Sequence, residues 1–517
     1  MLNLFLENKK NSYLFVTIVA LIFLLPGTFQ LPLLDRDEPR FSRATVEMRE
    51  NSNWIVPFFN GEFRFDKPPL TYWWMGINHW IFGVNEFSCR LHSIISTWLI
   101  ALWVCVRGTR WVGRKAAFVG SIGWLLNLQV WQHGRLALAD MPMVLCVCFA
   151  MDGLWSSINK DVSKKERSLG FFLLWLGLAV GFLAKGPIVL AIPLCTFLLY
   201  FALRRQATVV KMKLIHLAGL LISLGIVAMW GVPALIQTNG LFAREGLGTH
   251  VVERGLGAFN NRSYSPLFYF FSIFLSFFPW WLQGFGKFQY FKKLWKDNQF
   301  IFLFIWVLVP FLIFSFYSTQ LPHYLLPGFP ALFLITGKII EKHWLDKKRA
   351  LPILEVILTL VVLFFYFTYD YYADPDFPSS FVPWVGLILV SFIWIPYLLI
   401  TKNFFLFAAW IINLAFCTTN LASKIRHEHL TLKIMEAGNI NPKDEIFRYS
   451  KSFAEPSLVY YLGGPWTFGV DANLSLPVFQ VERFDNREPT KNGLLVEGFN
   501  PARGKKEKVW IYPANSN

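Results

Sequence analysis

Read for polarity alone, the chain alternates between long apolar runs and short polar connections. The apolar runs lie near residues 13–33, 89–106, 116–132, 136–156, 169–184, 187–203, 214–235, 265–285, 300–317, 322–337, 351–371, 382–400 and 403–421. A helix needs roughly 20 apolar residues to cross a hydrocarbon core of about 30 Å, so the pattern predicts about 13 transmembrane helices. The uncharged stretch 299–337 holds two of them, divided around Ser318–Pro322. The first run follows Lys9 and Lys10, is long, and lacks a small-x-small cleavage site, so it reads as a retained anchor.

Two segments break this rhythm. In residues 34–88, Phe41, Ala44, Thr45 and Met48 recur at helical spacing behind Pro39 and predict an amphipathic helix. The same loop holds Tyr72–Phe82 (YWWMGINHWIF), too short to span and rich in Trp and Tyr, which suits a helix lying in the membrane interface. Residues 422–517 are polar enough for a small soluble domain. Lys424–Ala437 predicts a helix there. Ser457–Leu462, Val478–Phe484, Leu494–Phe499 and Val509–Tyr512 predict short strands, giving an α/β or α+β unit. The expected organisation is an all-α polytopic membrane domain, 1–421, followed by a soluble domain, 422–517.

Composition narrows the class. The 517 residues are 55% hydrophobic and only 16% charged, where a soluble domain carries about 25%. An ordinary soluble enzyme, a disordered chain and a nucleic-acid-binding domain are excluded. The net charge of +16 is a topology signal. With the N-terminus in the cytoplasm, the inside loops are 107–115, 157–168, 204–213, 286–299, 338–350 and 401–402. Together with the N-terminal tail they hold roughly half of the 49 Lys and Arg. The outside then receives 34–88, 236–264, 372–381 (with Asp374 and Asp376 and no base) and the C-terminal domain. The six cysteines fall in or beside apolar runs, without metal-ligand spacing or a disulfide framework.

Scarce charge makes the remaining outer acids and bases informative. LDRDEPRFSR (34–43) places Asp35, Asp37 and Glu38 beside Arg36 and Arg40, just past the first span. Asp37 is a candidate general base or acceptor-orienting carboxylate, or an N-cap ahead of Pro39. RFDKPPL (64–70) fixes the direction of Lys67 through two prolines; it suits a phosphate, or is an ordinary snorkelling lysine. RLALADMPM (135–143) puts Asp140 at the end of an apolar segment, where a carboxylate is a functional candidate unless it pairs with Arg135 or caps around Pro142. Lys185-Gly186-Pro187, His250–Arg254 (HVVER) and Ser318–Tyr324 (STQLPHY) add cations and hydroxyls at the same depth. Such a face suits an anionic, lipid-linked substrate reached from the bilayer.

LDRDEPRF, FDKPPL, RLALADMP, FLAKGP and LPHYLLPGFPAL, in this order and spacing over roughly residues 10–340, resemble the bacterial lipid A aminoarabinose transferases and related glycosyltransferases of the protein O-mannosyltransferase superfamily. The resemblance implies the integral-membrane GT-C fold and inverting transfer of a sugar from a polyprenyl (undecaprenyl) phosphate. The implied acceptor is lipid A or another envelope glycolipid at the periplasmic face of the inner membrane. It implies catalytic roles for Asp37 and Asp140. Substrate or phosphate contacts follow for Lys67, Lys185, Arg254, Tyr324, Glu38 and Arg40. No cofactor is required, although in the aminoarabinose group an acidic residue and a histidine, here Asp66 and His250, can hold a structural metal such as zinc. Asp66 stands where those enzymes usually carry glutamate, and Gln320 where a lysine is common. A protein O-mannosyltransferase-like enzyme and a lipid-linked substrate transporter or flippase are the alternatives. The expected partners are the lipid-linked donor, the glycolipid acceptor and membrane lipids, with no nucleic acid.

Overall fold

In the computed structural model, the described residues are 8–512 except 160, 205–213, 254–264, 266, 284–293, 346–352, 369–376, 401–402, 442–446, 451, 470–477 and 485–492. The acidic loop segment with Asp374 and Asp376 lies outside them. The architecture is a bundle of apolar helices with a small sheet domain at the C-terminal end. Among the described residues, eight helices are long and apolar enough to cross a membrane, and Ile188–Arg204 and Glu355–Phe367 are shorter apolar ones. The protein is thus a multi-pass membrane protein.

Five of the roughly 13 predicted runs fall outside these eight, two because they are divided and three because their described helices are shorter than 18 residues. The run 116–132 is two helices, Arg114–Leu125 and Leu128–His133. Asn127 restarts the second by accepting from Val130 N–H at 3.0 Å, while its amide donates to the Ser276 and Phe278 carbonyls. The run 265–285 is divided at Pro279, which has no N–H to extend Phe268–Ser276. The first run forms the helix Lys9–Leu24, 16 residues long.

The loop after that helix is built as its periodicity predicts. Asp37–Glu50 is helical and buries Phe41, Ala44, Thr45 and Met48. Leu70–Phe82 is helical, burying Tyr72 and Met75 while leaving Ile77, Trp80, Ile81 and Phe82 exposed along one edge. A small hairpin, β1 (Phe58–Phe59) and β2 (Glu62–Phe63), lies between them. Its tip is pinned by buried Glu47, which accepts from the Asn60 and Gly61 amides.

A buried ion pair fastens this loop to the bundle. Arg90, on the helix Glu86–Arg107, holds Glu38 bidentately, with Nε–Oε1 and Nη2–Oε2 both at 2.8 Å. The remaining guanidinium donors reach the carbonyls of Thr28, Leu31 and Pro32. Glu38 also accepts from the Leu34 and Ala137 amides, at 2.8 and 2.7 Å. Every hydrogen-bonding position on both side chains is used, the condition under which a buried pair is tolerated.

The C-terminal sheet has the order β4-β3-β5-β7-β6, from β3 (Phe447–Ser450), β4 (Trp466–Phe468), β5 (Val478–Arg483), β6 (Leu494–Asn500) and β7 (Lys505–Tyr512). β3 pairs in parallel with β4 and β5, and β5, β7 and β6 are antiparallel neighbours. Its core joins Val481, Val509 and Ile511 to Leu430 and Ile434 of the helix Leu430–Gly438. Leu458 and Leu462 of Pro456–Leu462 complete it. Ser457–Leu462 is therefore a helix and not the predicted strand: Pro456 starts it and Gly463 stops it. The predicted helix Lys424–Ala437 is broken at His429, between Phe404–Glu428 and Leu430–Gly438.

The sheet domain docks on the first loop. Asp35 accepts from the Ser457 amide at 2.9 Å, at the start of the helix Pro456–Leu462. Tyr461 hydroxyl accepts from the Leu33 amide at 2.8 Å, and Asn60 exchanges two hydrogen bonds with the Trp466 backbone. Burial pushes the Asp35 carboxyl up to about 7 against the lowering pull of its Ser457 bonds; Glu455 adds to the rise and Arg40 opposes it.

Breaking the buried pair by Glu38→Ala or Arg90→Ala should cost about 3–5 kcal/mol, read as a lower melting temperature of the purified protein. Glu38→Leu with Arg90→Met should recover part of that loss. Because the folded Asp35 value lies above its ordinary 3.8, its contribution is present at low pH and is lost as pH rises through about 7. Limited proteolysis of the sheet domain should therefore quicken from about pH 4 to about pH 7 and level off above that. Asp35→Asn should flatten the dependence.

Candidate active site

The helices Asp140–Ile158 and Lys164–Lys185 pack along each other and bring opposite ends together. Asp140 is the first residue of one, where a helix terminus favours an anion; Lys185 is the last of the other, where it favours a cation. Gly186, at φ +75°, lets the chain leave the helix there and turn into Ile188–Arg204. Lys185 Nζ meets Asp140 Oδ1 at 2.5 Å. Arg135 is not the partner of Asp140: it turns to the Pro26 carbonyl and stacks over Trp131 at 4.7 Å.

A 3-10 turn, Pro322–Gly328, brings two more groups to this pair. The Tyr324 ring lies 5.7 Å from Lys185 Nζ, and His323 Nε2 lies 3.9 Å from Asp140 Oδ1. The His323 ring packs on His133, centroids 4.5 Å apart, and His133 is held by Gln129 at 2.7 Å. His323 sits in a motif singled out in the sequence; His133 precedes RLALADMP, and no sequence spacing ties the two together.

These groups edge a cavity of about 440 Å3. Asp66, Lys67, Lys185, Tyr317, His323 and Tyr324 supply its polar positions. Phe182, Ile188, Val227, Trp230, Leu235, Phe242, Ile313 and Phe314 supply much of its apolar wall. The motifs RFDKPPL, FLAKGP and LPHY, separated by well over a hundred residues in sequence, thus share one cavity.

The first loop supplies its rim. Lys67 Nζ folds back to the Asp66 carbonyl at 2.9 Å, and the Asp66 carboxylate pairs with Arg64 at 2.7 Å. Arg64 Nε also donates to Tyr72 at 3.1 Å, and its guanidinium lies over Phe41. Asp37 is exposed at the head of its helix, near enough that its charge acts on Arg64 and Tyr72. Arg36, not Asp37, occupies the cap position, so the N-cap reading of Asp37 does not hold. Arg64 is a site residue that the motif contained but its proline-based reading passed over.

The other expectations divide. Arg40 is half-buried and acts electrostatically on Asp35. Glu38, expected at the substrate, is 2% exposed and is taken up by Arg90, Leu34 and Ala137. Its chemistry is scaffolding, a correction to its expected contact. Arg254 and the side chain of His250 lie outside the described residues. Among the described residues no group of three or more His, Cys, Asp or Glu could hold a metal, and Asp66 is committed to Arg64. The described part of the suggested metal site does not fit a metal.

Residues 66–231 match the family described as dolichyl-phosphate-mannose-protein mannosyltransferase. An uncharacterised Aquifex aeolicus protein is 27% identical over 366 residues, 70% of this chain and 80% of that one. The undecaprenyl phosphate-alpha-4-amino-4-deoxy-L-arabinose arabinosyl transferase of Wigglesworthia glossinidia brevipalpis is 30% identical over 69% of this chain. The match spans 64% of that enzyme's length, and 59% of the corresponding Erwinia tasmaniensis enzyme. The crystal structure of ArnT from Cupriavidus metallidurans bound to undecaprenyl phosphate superposes with a TM-score of 0.77 at 18% identity, covering 96% of this chain and 97% of that one. The fold is therefore the GT-C fold of ArnT. In sequence the chain is similar to the aminoarabinose transferases, as its motifs imply.

Lys185→Ala should leave Asp140 buried without its cation and cost about 3 kcal/mol. Adding Asp140→Asn should restore most of the loss. Thermal melting of the three variants decides this: equal melting of the single and wild-type proteins would show that the pair is not what holds these helix ends.

Proposed function

We propose that this chain is an integral-membrane, inverting glycosyltransferase. It moves a sugar from a polyprenyl phosphate, of the undecaprenyl type, to lipid A or a related envelope glycolipid. The observation that carries the reading is the cavity: a largely apolar wall meets the polar groups of Lys67, Lys185 and Tyr324. An alkyl chain and an anionic headgroup call for that combination. The arabinosyl transferases it resembles act on undecaprenyl phosphate-linked aminoarabinose by name, which supports the same donor class here.

In this reading the departing phosphate gains a negative charge as the sugar leaves. Lys67 and Lys185 would stabilise that charge in place, with Tyr324 under the Lys185 ammonium. Arg254 would add a further cation. Asp37, exposed at the head of its helix, would meet the acceptor. If the acceptor is a hydroxyl, Asp37 takes its proton; if it is a phosphate, already ionised, Asp37 orients it. Asp140 acts through Lys185, keeping the ammonium at the cavity edge. No step passes through a metal.

Orientation follows from charge. The Lys- and Arg-rich loops face the cytoplasm, so residues 34–88, the cavity and the sheet domain face the periplasm of an inner-membrane protein. Residues 1–421 form the catalytic membrane domain and 422–517 the soluble one.

Asp37→Asn and Lys67→Ala should each lower transfer from a polyprenyl-phosphate sugar by 10² or more on the usual scale of such groups, while the protein still inserts and purifies. Wild-type turnover in either variant would refute the assignment. Mass spectrometry of lipid A and envelope glycans from a strain lacking the protein identifies acceptor and sugar, and unchanged glycolipids there would remove lipid A as the acceptor.

A further inference from the structure

We propose that His323, backed by His133, is the positioning residue that takes over the Asp140 carboxylate when the phosphate of a lipid-linked donor draws Lys185 into the cavity. The inference rests on the cavity being a polyprenyl-phosphate site. It concerns how the empty site changes as that headgroup arrives.

Lys185 has two claims on its charge. In the empty site Asp140 neutralises it at 2.5 Å. A phosphate in the cavity competes for the same ammonium, and Lys185 lines that cavity. Asp140 stays behind, 6% exposed and unable to follow. A buried carboxylate left without its cation is costly unless another donor replaces it. Among the described residues, two side chains able to carry positive charge come within 4 Å of Asp140 Oδ1: Lys185, and His323 with Nε2 at 3.9 Å.

His323 is built for that replacement. At 3.9 Å it makes no hydrogen bond to Asp140 in the empty site, yet a shift of about 1 Å brings Nε2 to bonding distance. The ring is held between His133, centroid at 4.5 Å, and Tyr324, centroid at 5.0 Å and edge-on. Gln129 fixes His133 from behind at 2.7 Å. Packed between these two rings, the imidazole has Nε2 on the side of Asp140. The Tyr324 ring also lies under the Lys185 ammonium, so one aromatic ring touches both groups that trade places. A neutral imidazole with hydrogen on Nε2 suffices, so no proton needs to enter the site.

The test uses the full-length protein in lipid nanodiscs and measures affinity for a polyprenyl phosphate and for the matching uncharged polyprenol. His323→Phe should weaken polyprenyl-phosphate binding about tenfold and leave polyprenol binding unchanged. His323→Gln, whose amide nitrogen stands near the position of Nε2, should return to within about threefold of wild type. In an Asp140→Asn background, where no charge is left behind, His323→Phe should cost nothing further. A His323→Phe protein that binds like wild type overturns the proposal. So does one that loses both ligands equally, or that loses as much in the Asp140→Asn background. A wild-type protein that does not prefer the phosphate to the polyprenol overturns the functional reading instead.

Discussion

The buried pair between Glu38 and Arg90 decides where everything around the cavity can be. It joins three parts of the chain that are far apart in sequence: the stretch Thr28–Glu38 after the first helix, the helix Glu86–Arg107 and the segment before Asp140. Two charges withdrawn from water are tolerable only if every donor and acceptor is used, and here each is. That requirement makes the arrangement all-or-none. Asp37 follows directly from it, because Glu38 next in sequence cannot move without exposing a charge to a low dielectric.

The helix Asp140–Ile158 carries the second constraint. One end holds the Asp140–Lys185 pair. Toward the other, about a turn and a half before Ile158, buried Asp152 sits between Arg107 and Arg110, with Glu166 bridging the two arginines. Both networks join Asp140–Ile158 to Lys164–Lys185, so the helix pair is fixed at both ends by charge and along its length by close contacts. Gly153 and Gly177 permit that contact: a Cβ at either would meet neighbouring backbone within 3 Å. A rigid helix pair can hold a cation at a constant depth beside a cavity that a lipid must enter and leave.

Much of this was legible before any coordinates. Helical spacing found Asp37–Glu50, alternation found the strands near 478–484 and 494–499, and the ordered motifs gave the GT-C fold and most of the cavity's polar edge. What escaped were facts about partners. Sequence proximity offers Arg135 as a partner for Asp140, the alternative to a functional role, but the bundle presents Lys185 to it. Glu38 looked like its neighbour Asp37 because both are exposed on paper; burial separates them. His133 and His323 sit 190 positions apart, and nothing in either motif points to the other. Val, Tyr and Leu in Ser457–Leu462 favour a strand locally, yet Pro456 and packing against the sheet make a helix. Asn127 and Pro279 divide two apolar runs that hydropathy reads as whole.

The docking of the sheet domain on the first loop has a consequence for how the protein is made. Leu33 and Asp35 are held by Tyr461 and Ser457, more than 400 residues later in the chain. A ribosome emits these contacts in strict order. The helix Lys9–Leu24 and the loop after it leave the ribosome early, and the residues that clamp that loop follow more than 400 positions later. Until the sheet domain folds, that loop is unfastened. It gains its working shape when the domain docks on it, after the helix bundle made in between.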